Sequence, residues 1–266
     1  ERKPPLVFDE IDFTIIDSDR VATRLAGPLE YAQRVEQLVG VTQMETLLPR
    51  RSEVIERFLS VWTHDELGHA RALAELMDLV ELTPVPLDDA APPSRNAKIG
   101  AIGSASQSMH EVIEVIWATS GAMNEHLAMS AYHRIDAILQ EDGERALHET
   151  LFRRLRAHES AHKSFYATYA AARWATLRGW QRRLARATLR RTWAPVGATE
   201  PADRPAFART VAALAPDDWH DVLVAPVQGI AERIMDAAGE FDSVVERAVM
   251  LTFESDPAGE ELLARR

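Results

Sequence analysis

Two stretches of this 266-residue chain set a glutamate and a histidine three residues apart in the middle of an apolar helical stripe. In one, Ile55, Leu59, Trp62, Glu66, His69, Leu73, Met77 and Val80 recur at i+3 and i+4, so they share one helix face. In the other, the face is Leu151, Phe152, Leu155, Glu159, His162, Tyr166 and Tyr169. A carboxylate on a core-facing stripe is costly unless it is paired or binds a metal. One Glu-x-x-His segment arises easily by chance, but two, each centred on its stripe, demand a fold that brings them together. His64, by contrast, falls on the solvent side of its helix.

Helical periodicity runs through the whole chain and strand-like alternation is absent. The spacing predicts a first helix over about residues 19–48 ended by Pro49, and a second from the N-cap Ser52 to about Leu82. The stretch ELTPVPLDDAAPPSRNAKIG follows as a long Pro-rich connection. A third helix is expected over about 102–140 and a fourth over about 144–177. Short first–second and third–fourth connections make those pairs antiparallel hairpins. Two hairpins joined by one long crossover give an all-α, ferritin-like four-helix bundle with about 45 Å helices at 1.5 Å per residue. The expected domain is single: a bundle core over about 19–177 and a helical extension over about 178–266. The extension holds an Arg-rich helix, the linker APVGATEPADRP, and two or three shorter helices.

A carboxylate-bridged dimetal site in such a bundle also takes one glutamate from each remaining helix. The third-helix stripe is Trp117, Gly121, Glu125, Ala128, Tyr132, Ile135 and Leu139, which makes Glu125 the inward acid. Glu114 shares that face but lies about 16 Å away. On the first helix Glu36 sits about 45° from the centre of the stripe Leu25, Leu29, Ala32, Val35 and Val39, whereas Glu30 points away. The candidate ligands are therefore Glu36, Glu66, His69, Glu125, Glu159 and His162. Their four carboxylates balance two divalent ions, and oxygen donors with imidazole suit iron or manganese better than copper. Asp65 and His158 each precede a ligand glutamate and are expected to orient the histidines across the site. Gly121 and Ala128 leave room beside Glu125 for a substrate channel with Trp117 and Tyr132 as walls.

The chain has no cysteine, which excludes disulfides, zinc knuckles and thiolate-held iron–sulfur clusters. A net charge of −11 argues against a nucleic-acid partner. No apolar run is long enough to span a membrane, and the stretch ERKPPLVFDEIDF lacks a signal-peptide core. These features predict a cytoplasmic protein. The segment RGWQRRLARATLRR places six arginines on one helix, a solvated face or a dock for an acidic partner.

Three segments carry a family resemblance. "WTHDELGHA" is similar to a Trp-Thr-x-Glu-Glu-x-x-His segment, "MNEHLAMSAYHR" to a third-helix Glu segment, and "LRAHESAHKSFY" to an Asp-Glu-x-x-His segment followed by Phe-Tyr. Over roughly residues 30–172 the chain resembles the ferritin-like diiron carboxylate proteins, most closely the bacterial acyl-acyl carrier protein desaturases. The resemblance implies the same six ligands, two irons, dioxygen, a ferredoxin-type electron donor and a homodimer. It also implies an acyl chain on an acidic carrier protein, to be desaturated or hydroxylated in fatty acid metabolism. Ala128 stands where the desaturases have Thr, and His158 where they have Asp. The arylamine N-oxygenases have similar spacing but add a histidine where this chain has Leu155. Ribonucleotide reductase small subunits have their radical Tyr where this chain has Leu73. A small-amine N-oxygenase and a non-enzymatic ferritin-like metal-binding protein are the alternative readings.

Overall fold

A computed structural model describes residues 6–41, 48, 51–84, 86, 94–199, 201, 204–241 and 243–265. Among them every regular element is helical. The elements are α1 (Ser18–Val41), α2 (Glu53–Leu79), α3 (Ser94–Ala105), α4 (Gln107–Glu141), α5 (Arg153–Thr176), α6 (Gly179–Thr192), α7 (Arg204–Leu214), α8 (Ala225–Met235), α9 (Val244–Phe253) and α10 (Pro257–Ala264). A helical turn, Arg145–Leu147, and a π-helical turn, His148–Phe152, lead into α5, and a second π turn, His220–Val224, leads into α8.

The bundle forms from two hairpins, α1 with α2 and α4 with α5, and the two pairs pack on each other through α1–α4 and α2–α5. Ser52 caps α2 by accepting a hydrogen bond from the Ile55 N–H, as its position before the apolar stripe predicts. The expected end of the first helix at Pro49 lies outside the described residues.

The long crossover differs from expectation because α3 begins within it. The single third helix expected over 102–140 is two helices, broken at Ser106, whose backbone is extended. Gly100, Gly103, Ser104 and Ser106 are poor helix formers clustered at that break. A Cβ on Gly103 would come within 3.0 Å of Ile113, so the chain turns closely over the start of α4. Among the described residues four helices follow the linker, rather than two or three.

The described part of the linker lies against α1. The Tyr31 hydroxyl donates to the Val196 carbonyl and the Arg34 guanidinium to the Gly197 carbonyl. Gly197 has a φ of +73°, and a Cβ there would lie 2.7 Å from Val35, so glycine is required twice over.

Two apolar clusters fill the bundle. One joins Leu25, Leu29, Leu73, Leu76, Ile135, Leu139, Leu151 and Phe152 at the end where α1 begins and α2 finishes. The other joins Ile55, Leu59, Trp62, Val115, Trp117, Tyr166 and Ala170 at the opposite end and runs on into Trp219, Val227 and Phe253 of the C-terminal helices. Between the clusters lies a layer of buried acids and histidines.

Candidate metal centre

All four bundle helices contribute to that layer. Glu36 comes from α1, Glu66 and His69 from α2, Glu125 from α4, and Glu159 and His162 from α5. All six are at most 7% exposed. They form two overlapping quartets, Glu36–Glu66–His69–Glu159 and Glu66–Glu125–Glu159–His162, whose ligand atoms lie within 4.8 Å of one another. Each quartet could hold a metal ion.

The two shared glutamates face both histidines. His69 Nδ1 lies 3.1 Å from Glu159 Oε1, 3.6 Å from Glu36 Oε2 and 4.0 Å from Glu66 Oε2. His162 Nδ1 lies 3.0 Å from Glu66 Oε1, 3.8 Å from Glu125 Oε2 and 4.0 Å from Glu159 Oε2. Glu66 and Glu159 thus offer one oxygen to each side, the disposition of a bridging carboxylate. An ion about 2.1 Å from its donors holds neighbouring donors roughly 3–3.5 Å apart, close to these separations.

The electrostatics also fit a cation. Burial raises the Glu66 carboxyl well above its ordinary value, and the nearby charges of Glu36 and Glu159 raise it further. Glu125 is raised in the same way, by burial and then by Glu159. Burial acts upward on Glu36 too, but hydrogen bonds with Glu66, His69 and Tyr132 outweigh it and hold that acid down to about 2. Glu66 Oε1 is buried without a hydrogen bond. Buried polar atoms are rarely left so unless a ligand or ion completes them. The residues present therefore fit a pair of metal ions.

Behind the ligand atoms, the far ring nitrogens reach across the site. His162 Nε2 lies 3.0 Å from Asp65 Oδ2, and His69 Nε2 lies 3.1 Å from His158 Nδ1. Asp65 on α2 therefore supports the histidine of α5, while His158 on α5 supports the histidine of α2. Two further contacts hold the carboxylates. Trp62 Nε1 donates to Glu125 Oε1 at 2.9 Å, and the buried Tyr132 hydroxyl donates to Glu36 Oε1. Neither bond is apparent from the sequence pattern, which presents both aromatics as parts of apolar stripes. The signal was available: each ring carries a polar group that needs a partner when buried.

A narrow apolar cleft, open to solvent, reaches the site. Its walls include Ala32, Val35 and Glu36 of α1 and Leu127, Ala128 and Tyr132 of α4. The opposite wall is Phe207, Val211 and Leu214 of α7 with Leu223 of the second π turn. Ala128 and Tyr132 line this cleft, whereas Trp117 and Gly121 are not among its walls. A Cβ on Gly121 would fall 2.5 Å from the Tyr166 ring, and Trp117 packs edge-on against that same ring at 5.1 Å. Gly121 makes room for an aromatic side chain rather than for a substrate. The half of the wall contributed by α7 was not foreseen, because nothing local in residues 204–223 shows which surface they cover.

Other candidates separate cleanly. Glu30 and His64 are exposed. Glu114 is buried but belongs to neither quartet, being bound by Arg173 at 2.7 Å and Tyr169 at 3.1 Å. Two arginines of α6 are engaged internally. Arg186 donates to the carbonyls of Met235 and Asp236 and pairs with Glu240, while Arg182 donates to the Ala175 carbonyl and lies over Trp174. The exposed cations of the segment are Arg178, Arg183, Arg190 and Arg191. No helix among the described residues is long and apolar enough to cross a membrane.

Comparison with protein families finds no matching family model, and no curated protein or solved structure matches the chain.

Proposed function

We propose that this protein is a dioxygen-activating diiron oxidoreductase acting on an acyl chain, as a desaturase or hydroxylase. The observation that carries the proposal is that Glu36, a member of one metal quartet, is also part of the wall of an apolar cleft. A metal ion enters most readily along a polar path, whereas an oxidase of hydrocarbon must bring its substrate in along an apolar one such as this.

When bound, a reduced iron pair supplies electrons that activate dioxygen for removal of hydrogen from an unactivated C–H bond. The chain's own residues have separate tasks. Glu36, Glu66, Glu125 and Glu159 with His69 and His162 would hold the ions, and Glu66 and Glu159 would bridge them. Asp65 and His158 fix the ring orientation of the histidines. Tyr132 and Trp62 each hold one oxygen of a terminal carboxylate, leaving the other aimed at the site. The walls from α1, α4 and α7 exclude water around the reacting carbon and favour an extended apolar ligand. In this reading a ferredoxin-type protein delivers electrons, an acidic carrier delivers the acyl chain, and the chain works as a homodimer.

The test is reconstitution with ferrous iron, a reductant, dioxygen and acyl carrier substrates, with mass analysis of the acyl product. Loss of two hydrogens identifies a desaturase and gain of one oxygen a hydroxylase. Unaltered acyl chains, with iron oxidised and retained or peroxide released, would defeat the enzymatic reading.

A further inference from the structure

The two halves of the candidate centre are built alike in their ligands and differently in what stands behind them. The His162 ring is backed by a carboxylate, Asp65, at 3.0 Å. The His69 ring is backed by another imidazole, His158, at 3.1 Å. For His69 to turn Nδ1 toward the three carboxylates that face it, its Nε2 carries the proton and His158 Nδ1 accepts it, which makes His158 a neutral partner. A ring that donates to an anion gains electron density at its other nitrogen and binds metal more strongly than one that donates to a neutral acceptor. Asp65 also lies closer to His162 than to His158, whose Nδ1 is 3.7 Å from Asp65 Oδ1, so its negative charge bears more strongly on the His162 side. The opposite half contains Glu36, which lines the cleft.

We infer that the two metal positions are inequivalent: the Glu125–His162 half takes the first ion and holds it tightly, and the cleft-facing Glu36–His69 half takes the second ion more weakly and exchanges it. The inference rests on the dimetal reading above and assigns to Asp65 and His158 the division between a tight position and an exchangeable one. Both are positioning residues, acting through the histidines.

The test is an anaerobic titration of the metal-free full-length chain with Co(II), followed by calorimetry and by cobalt absorption. Two steps are expected, with dissociation constants at least about tenfold apart, the scale on which such supporting contacts alter metal affinity. Asp65→Asn preserves shape but removes the charge, and should weaken the first step about 10–100-fold so that the two steps converge. His158→Asn keeps a neutral acceptor for His69 and should leave both steps in place. Glu36→Ala gives an independent check by removing the weak step and keeping the tight one. A single step for two equal ions in the native chain would overturn the inference, as would unchanged steps in Asp65→Asn or loss of the tight step in Glu36→Ala. Absence of any Co(II) binding would instead defeat the dimetal reading itself.

Discussion

Glu66 and Glu159 carry the heaviest constraint in the molecule, because each presents one oxygen to each histidine from a buried position. Replacing both by alanine should abolish paired iron loading, while Glu30→Ala and His64→Ala, both at exposed positions, should leave the iron content per chain unchanged. Retention of two irons in the double variant would contradict the bridging role. Neighbouring small residues on α4 should respond in opposite ways. Ala128 faces the cleft, so Ala128→Thr should change stability by no more than about 0.5 kcal/mol. If desaturation is slow only for want of that hydroxyl, the same change should raise turnover. Gly121→Ala meets the Tyr166 ring and should destabilise by about 1–3 kcal/mol. Thermal melts of the two variants check this ordering.

The acids also set a pH dependence. Glu66 and Glu125 have pKa values raised on folding, so above the ordinary value of 4.5 the metal-free folded state binds more protons than the unfolded state. Its stability therefore falls as pH rises above 4.5. Glu36 has the opposite sign, since its folded value of about 2 gives stability that is lost only below pH 4.5. Bound metal displaces the protons of Glu66 and Glu125 and should flatten the slope above pH 5. Melting temperatures against pH, with and without metal, test this; a metal-free protein that gains stability toward pH 8 would contradict it.

At the scale of the helices, what the sequence disclosed depended on whether the information was local. The stripes of α2 and α5 repeat at 3.6 residues, so the faces carrying Glu66, His69, Glu159 and His162 could be read directly. Glu36 was legible through its angle to an apolar stripe, and the exposed Glu30 on the same helix gave the contrast. The break at Ser106 was missed because an apolar pattern continues through Ile99, Ile102 and Met109 while the glycines and serines weaken the helix underneath it. The role of α6 was legible in part. Its five arginines and the N-cap Arg178 stand out by composition, but which ones reach solvent depends on α8, whose C-terminal carbonyls hold Arg186. Arg186→Ala should cost about 1 kcal/mol through the part-buried Met235 acceptor. A combined change of Arg183, Arg190 and Arg191 to Glu should leave stability nearly unaltered. If α6 docks an acidic carrier, that triple variant should lose binding, and native binding should weaken steeply with salt, since charges separated by more than about 10 Å are screened at 0.1 M. Salt-insensitive binding would return α6 to a solvated face.

For the molecule as a whole, the bundle supplies the ligands and the C-terminal helices supply the far wall of the cleft. That division explains why the ligand set was readable and the substrate space was not. Ligands sit on periodic faces within single helices, whereas the cleft exists only where α7 and the second π turn close over α1 and α4. The same apolar cluster runs from the bundle into the extension, so removal of residues 204–265 would expose both the core and the approach to Glu36. The measurement that tests the central claim most directly is an anomalous difference map from crystals of the iron-loaded protein. Two iron peaks roughly 3.5–4 Å apart, bridged by Glu66 and Glu159 and flanked by His69 and His162, are predicted. A single peak, no peak, or iron bound away from these six residues would contradict it.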